Sequence, residues 1–140
     1  MTVLVDSSVW ISFGRGRDSA DVLRLRDLMR QGTAATTEPV LMEVLAGARD
    51  ASTRADARSL LTSFRWIPVE SVADFEGAAT VYQQCRRAGV TPRGLTDCMI
   101  VTVCLRAGVP LLTADGDFRR IAEVMPLRLD PGSGDPAATG

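Results

Sequence analysis

Short apolar runs alternate with helix-forming segments along nearly the whole chain, and this alternation restricts the fold more than any other feature. Residues 2–5, 33–37, 65–69, 110–113 and 127–129 have the length and the apolar or β-branched composition of buried strands. Helical periodicity or helix-capping residues mark the segments between them. Strands that alternate with helices predict a central, mostly parallel sheet with helices on both faces, which is a three-layer α/β/α sandwich.

The helix boundaries follow from capping residues and glycines. We predict seven helices, over about residues 9–14, 19–30, 40–46, 50–63, 71–87, 96–107 and 118–124, with Ser71 and Thr96 as caps of the fifth and sixth. The sixth is apolar nearly all round, which predicts a central buried helix. Residues 1–129 should form one domain, and the small, polar, Pro- and Gly-rich residues 130–140 a disordered tail.

The composition excludes several chemistries. The chain contains no histidine, which rules out a Ser-His-Asp triad, a histidine general base, a histidine zinc site and metal-independent RNA cleavage by paired histidines. All 16 basic residues are arginine, so there is no Walker A lysine. Because the formal net charge is −1, an RNA-binding surface would have to be a local patch.

Cysteine usage and the N-terminus indicate a cytoplasmic protein. Cys85, Cys98 and Cys104 have no CxxC spacing and are odd in number, so we expect reduced, buried thiols. The sequence shows neither a signal peptide nor an apolar stretch long enough to cross a membrane. We therefore expect no membrane partner.

Five acidic residues stand at positions where chemistry is expected. Asp6 closes the first predicted strand and Asp115 follows the strand 110–113, so both belong to the carboxyl rim of the sheet, where open parallel sheets bind ligands. Asp97 lies in the first turn of the most apolar helix, Glu43 is isolated in the apolar third helix, and Asp117 follows Asp115. Singly, each has a purely structural interpretation as a helix cap, a dipole partner, a solvated charge or a turn residue.

Together, the acids favour a cation site. Carboxylates that share a pocket raise one another's pKa, and a hard divalent cation with oxygen ligands relieves the repulsion. Such a site activates water and neutralises the leaving oxygen of a phosphodiester, with one ion or two.

The same residues resemble the PIN-domain pattern. It comprises Val-Asp-Ser-Ser-Val-Trp with Asp6 and Ser8, the isolated Glu43, Leu-Thr-Asp with Asp97, and Leu-Leu-Thr-Ala-Asp-Gly-Asp-Phe with Asp115 and Asp117. The resemblance extends from residue 1 to about 129, and the compact length is similar to that of bacterial VapC-type toxins.

The resemblance implies a Mg²⁺-dependent endoribonuclease, with Mn²⁺ as a substitute, that cleaves a structured RNA such as tRNA and leaves a 5′-phosphate and a 3′-hydroxyl. It implies a VapB-type antitoxin partner, a toxin homodimer and a higher toxin–antitoxin assembly. The implied catalytic acids are Asp6, Glu43, Asp97 and Asp115, of which Asp6, Asp97 and Asp115 would bind the metal. Ser8 and Asp117 would be accessory residues that orient a ligand or a water.

Local arginines are the candidates for RNA binding, namely Arg15 and Arg17 after the first helix and Arg93 before Asp97. Solvated loop charge is an equally simple interpretation of each. Trp10 and Phe118 are expected in the core rather than stacked on bases.

Two alternatives remain. A Mg²⁺-dependent phosphoryl-transfer domain also places acids at the carboxyl ends of parallel strands, but it needs a lysine that this chain lacks. The chain could also be a non-catalytic PIN-like module that binds a partner.

Overall fold

The chain folds around a four-stranded parallel sheet that is flanked by helices. In a computed structural model, which describes residues 1–134, the elements are β1 (Val3–Val5), α1 (Ser7–Gly14), α2 (Ala20–Gln31), β2 (Ala34–Thr36), α3 (Glu38–Ala46), α4 (Ala51–Thr62), β3 (Arg65–Trp66), α5 (Ala73–Arg87), α6 (Leu95–Ala107), β4 (Leu111–Leu112) and α7 (Asp117–Ala122). The predicted three-layer α/β/α fold is confirmed. Within this part of the chain, no helix is both long and apolar enough to cross a membrane.

The strand order creates the place where a ligand site is expected. The order across the sheet is β3-β2-β1-β4, and every neighbouring pair is parallel. The chain moves outward from β1 to β2 and β3, then returns to the other side of β1 as β4. The strand order therefore reverses between β1 and β4, and ligands of open parallel sheets bind at the carboxyl ends of the strands beside such a reversal.

Helix α6 forms the centre of the core, as its composition predicted. Residues 98–104 are buried without interruption. It packs along α5, where a Cβ on Gly77 would lie 2.6 Å from Cγ2 of Thr102. That distance is impossible for real atoms, so glycine at this position allows the close approach of the two helices. The three cysteines are buried and free, as expected from their spacing.

Both predicted helix caps lie in the wrong place. Helix α5 begins at Ala73 after a turn in which Val72 has a φ of 64°, and the Ala73 amide donates to the Ser71 carbonyl at 2.8 Å. The buried Asp74 determines this start, because its carboxylate accepts the Glu70 amide at 2.8 Å and pairs with Arg106. Helix α6 is preceded by Gly94 rather than Thr96, which lies inside the first turn.

The C-terminal part of the domain also differs from the prediction. Residues 127–129 form no strand, only an isolated parallel bridge between Leu111 and Leu129. Residues 130–134, expected to begin a disordered tail, instead pack on the domain. Asp130 is 3% exposed and bonds Arg24 at 2.9 and 3.1 Å, and the Ser133 hydroxyl accepts the Thr113 amide at 3.0 Å. Residues 135–140, the rest of the predicted tail, lie outside the described residues.

Candidate metal centre

Asp6 is a buried residue whose side chain links the carboxyl ends of β1 and β4 by hydrogen bonds. It is 3% exposed and precedes α1, and its Oδ2 accepts the hydroxyls of Ser8 at 2.7 Å and Thr113 at 3.0 Å. Both hydroxyls in turn accept backbone amides, from Ala114 at 3.1 Å and Asp115 at 3.0 Å. The Asp6 carboxylate therefore holds the segment that carries Asp115.

Three further carboxylates meet beside this connection. One oxygen from each of Asp97, Asp115 and Asp117 lies within 4.8 Å of the other two. Asp97 comes from the first turn of α6, Asp117 begins α7, and Asp115 precedes it and accepts the Asp117 amide at 3.0 Å. We call these three residues the carboxylate triad. Its side chains are neither fully buried nor fully exposed, so a ligand from solvent can reach them.

Glu43 reaches the same site from α3. Its Oε1 accepts the Ser7 hydroxyl at 3.0 Å, so the side chain turns toward the start of α1 rather than to open solvent. Burial raises the pKa of Glu43, and the charges of Asp6 and Asp115 raise it further against the opposing effect of the Ser7 hydrogen bond. The carboxylates from α3, β1 and the β4–α7 segment therefore influence one another.

Asp97 also has a raised pKa. Burial, followed by the negative charges of Asp6, Glu43 and Asp115, raises the pKa of Asp97 to about 7. Burial also raises the pKa of Asp6, against the opposing effect of its hydrogen bonds from Ser8 and Thr113. The site thus has a large excess of negative charge at neutral pH.

Arg93 is a cation that faces these carboxylates. It lies in the loop between α5 and α6, and its Nη2 donates to Asp115 Oδ1 at 2.9 Å while its Nε donates to Asp117. Asp117 and Asp115 raise the pKa of Arg93, and the charge of Arg93 partly offsets the rise in the pKa of Asp97.

Comparison with known proteins decides the family. The PIN-domain model matches residues 3–124, and ribonuclease VapC11 of Mycobacterium tuberculosis is 34% identical over 128 residues, which are 90% of this chain and 96% of that protein. The chain belongs to the PIN-domain family, among the VapC ribonucleases. The resemblance seen in the sequence is confirmed.

Solved VapC structures share the fold. VapBC2 from Rickettsia felis, bound to a DNA fragment from its promoter, has a TM-score of 0.72 at 15% identity and covers 93% of this chain and 98% of that chain. Mycobacterium tuberculosis VapC20, a sarcin–ricin loop cleaving toxin, has a TM-score of 0.62 at 19% identity, with coverages of 91% and 99%. At these identities the likeness is one of fold.

The acids predicted for a VapC ribonuclease lie near one another, and three of them have carboxylate oxygens within 4.8 Å of one another. Asp97 and Asp115 belong to the carboxylate triad, and Asp117 completes it. Asp6 and Glu43 stand next to it, close enough to raise the pKa of Asp97. Asp6, predicted as a metal ligand, has one oxygen occupied by two hydroxyls, and its other oxygen faces Ser7 Oγ at 3.5 Å.

The predicted RNA-binding arginines fall into two groups. Arg15 and Arg17 are exposed in the loop after α1, about 12 Å from Asp6 along the eight-residue helix. Both side chains are exposed, and among the described residues neither is in an ion pair with these carboxylates. Arg93 instead bonds to Asp115 and Asp117. Trp10 and Phe118 are 2% and 1% exposed, so their predicted place in the core is confirmed.

Two residues of the site were missed from sequence. Ser7 supports Glu43, and Thr113 connects Asp6 with the Asp115 amide. The signal for Thr113 was a hydroxyl residue at the end of a strand directly before an acidic loop. No comparable signal distinguished Ser7 from Ser8.

The donor set fits a hard divalent cation. Oxygens of three carboxylates within 4.8 Å of one another are the ligands that Mg²⁺ and Mn²⁺ prefer. Asp97, which resists ionisation because of its surroundings, would become favourable as an anion beside such an ion. The residues that would hold it are Asp97, Asp115 and Asp117, with Asp6 behind them.

Proposed function

We propose that this chain is a divalent-metal-dependent endoribonuclease, the toxin of a VapBC-type pair, which uses Mg²⁺ or Mn²⁺ to hydrolyse structured RNA. The observation that carries the proposal is the carboxylate triad at the reversal between β1 and β4, where the pKa of Asp97 is raised to about 7. Membership of the VapC ribonucleases supports it.

The protein's own residues would divide the work as follows. Asp97, Asp115 and Asp117 would hold the cation, which would supply the charge that activates water and stabilises the leaving oxygen. Asp6 fixes the position of Asp115 through Thr113. Glu43, whose pKa is raised and which is anchored by Ser7, is a candidate to accept a proton from the attacking water. The products would be a 5′-phosphate and a 3′-hydroxyl.

The substrate would be RNA with an unpaired loop at the cleavage site. Single-stranded loops are the usual targets of sequence-specific RNA recognition, because their bases can be splayed out. The exposed Arg15 and Arg17 would bind phosphates of the RNA backbone. Transfer RNA and the sarcin–ricin loop, which the relative VapC20 cleaves, are the first substrates to test.

The partner would be a small VapB-type antitoxin. Solved structures of similar fold are toxin–antitoxin complexes, one of them on promoter DNA, which supports this assignment. We further propose a toxin homodimer within that assembly, which the mass of the purified toxin in solution would test. Free buried thiols agree with a cytoplasmic location.

The deciding experiment compares RNA cleavage by the wild type and by Asp97→Asn in Mg²⁺, Mn²⁺ and EDTA. Asp97→Asn keeps the shape of the side chain but removes a ligand charge, so we expect a loss of at least a hundredfold in rate. The matched control is Asp56→Asn, which removes an exposed carboxylate of α4 and should cleave as the wild type does. Activity in EDTA, or equal activity of Asp97→Asn and wild type, would refute the proposal.

A phosphoryl-transfer domain is disfavoured by the burial of Asp6. An aspartate that accepts a phosphoryl group must be reachable, whereas Asp6 is 3% exposed and held by two hydroxyls. Incubation with a small phospho-donor tests this alternative, because a stable acyl phosphate on Asp6 would favour it over the nuclease.

A further inference from the structure

Arg93 occupies the oxygens that a cation in the carboxylate triad would need. Its guanidinium bridges two of the three members, with Nη2 on Asp115 Oδ1 at 2.9 Å and Nε on Asp117. A planar guanidinium with several fixed donors is suited to spanning two carboxylates at once. While this bridge stands, Asp115 and Asp117 direct oxygens at Arg93 rather than at an ion.

The surroundings of Arg93 allow this bridge to open. The side chain is 71% exposed, so leaving the carboxylates costs it little packing. The backbone beside it is better fixed, since Pro92 is buried and Gly94 caps the start of α6. The side chain can therefore swing into solvent while the loop and Asp97, four residues later, stay in place.

We propose that Arg93 is a built-in competitor of the divalent cation, which bridges Asp115 and Asp117 in the metal-free protein and must leave before the triad can bind a metal. This inference rests on the proposed metal dependence. It makes Arg93 a positioning residue that sets the metal affinity and holds Asp115 and Asp117 together. It also accounts for an arginine beside a catalytic centre whose donors face carboxylates instead of solvent.

The test is calorimetric titration of Mn²⁺ into metal-stripped protein, without RNA, at pH 8. Removal of the bridge in Arg93→Ala should tighten Mn²⁺ binding about three- to tenfold, the range that two exposed ion pairs can supply. Arg93→Lys keeps the charge but lacks the planar fork, so it should fall between wild type and Arg93→Ala. Arg87→Ala, which removes an exposed charge at the end of α5, should stay within twofold of wild type.

Thermal unfolding supplies a second readout. The metal-free Arg93→Ala protein should unfold at a lower temperature than wild type, because its carboxylates lose their counter-charge. Saturating Mn²⁺ should raise the unfolding temperature more in Arg93→Ala than in wild type, since tighter binding to the native state stabilises it more. If Arg93→Ala does not fold, Arg93→Lys carries the same comparison.

The outcomes separate this inference from the proposed function. If wild type binds Mn²⁺ and Arg93→Ala binds it equally or more weakly, the competition is refuted while the metal site stands. If Arg93→Lys matches wild type and only Arg93→Ala is tighter, charge alone acts and the bridge is refuted. If neither wild type nor Arg93→Ala binds Mn²⁺ at millimolar concentration, both proposals fail.

Discussion

The ionised form of Asp97, which the proposed metal site requires, is unfavourable in the folded protein. Burial and three neighbouring carboxylates raise its pKa from 3.8 to about 7, so its ionised form destabilises the metal-free fold. The unfolded chain has no such penalty. Between these two pH values the native state binds more protons than the unfolded state, and stability therefore falls as pH rises through that window.

Asp97→Asn should remove this penalty. In the absence of metal we expect the variant to be about 1–2 kcal/mol more stable than wild type at pH 8, because the repelled charge is gone. The gain is no larger, because water reaches the half-buried carboxylate of the wild type and screens its repulsion. The difference should shrink toward pH 4, where Asp97 is protonated in the native state and about half protonated in the unfolded chain. Urea unfolding at the two pH values in EDTA measures this, with Asp56→Asn as the control. A variant less stable than wild type at pH 8 would contradict the assignment.

The affinity for metal should change with pH as Asp97 ionises. A cation needs Asp97 ionised, so binding below pH 7 must release its proton. We expect the Mn²⁺ dissociation constant to fall about tenfold from pH 6 to pH 8 and to level off above pH 8. Calorimetry in buffers of different ionisation enthalpy counts the released protons. An affinity independent of pH between 6 and 8 would exclude Asp97 as the titrating ligand.

The sequence predicted which acids belong to the site, and the roles assigned to each of them are a proposal. Asp6, Asp97 and Asp115 could be found because strand ends and helix starts are readable from pattern. The place of Asp117 in the triad, and of Asp6 behind it, depends on side-chain directions at the β4–α7 turn. The bridge from Arg93 joins a loop to residues 22 and 24 positions later, a separation that no local pattern encodes.

At the scale of elements, the closeness of α5 and α6 places Asp97. Gly77 faces Thr102 across this contact, where an added Cβ would meet Thr102 Cγ2 at 2.6 Å. The β-branched threonine is stiff and cannot turn away freely. The two helices can therefore lie this close only because residue 77 has no side-chain methyl group.

Gly77→Ala should destabilise the protein despite the better helix propensity of alanine. The propensity gain of about 1 kcal/mol is outweighed by an overpacking cost of roughly 1–3 kcal/mol. Thr102→Ser removes the clashing methyl but keeps the hydroxyl that donates to the Cys98 carbonyl at 2.7 Å, so it should rescue Gly77→Ala. Urea unfolding of the single and double variants tests this. A stabilising Gly77→Ala would mean that the helices can move apart at no cost.

Helix identity was easier to predict than helix ends. The apolar run 98–105 indicated a buried helix because every face of it is hydrophobic, and that is what the structure contains. The caps at Ser71 and Thr96 were wrong because tertiary contacts determine these starts, notably the pairing of Asp74 with Arg106 on another helix. Residues 127–129 are apolar enough for a strand, yet they meet β4 at one bridge only.

On the scale of the whole molecule, residues 130–134 close the sheet edge beside β4. Asp130 and Ser133 supply partners to buried backbone groups, since the Asp130 amide donates to the Leu111 carbonyl at 2.7 Å and the Ser133 hydroxyl accepts the Thr113 amide at 3.0 Å. Thr113 in turn bonds Asp6. The segment expected to be a tail thus supports the strand end that carries the site.

Truncation after Leu129 should therefore cost stability. It leaves the Thr113 amide without its partner and removes the carboxylate that pairs with Arg24, for an expected loss of about 2–3 kcal/mol or roughly 6–10 °C. Thermal unfolding of chains ending at 129 and at 134 isolates this segment. Equal unfolding temperatures would show that residues 130–134 contribute nothing.

The parallel sheet and its layers could be predicted because each crossover needs a helix between two strands. The strand order could not, because it depends on which edge the last strand joins. That order, with β4 beside β1, is what brings Asp115 to Asp6 from 109 positions away in the sequence.

Anomalous diffraction from crystals soaked in millimolar Mn²⁺ tests most directly whether the carboxylate triad binds a metal ion. We expect a peak within coordination distance of the Asp97 carboxylate and of Asp115 or Asp117, with the Arg93 side chain turned away. The absence of a peak among these residues at that concentration, or a peak confined to another part of the surface, would contradict the account.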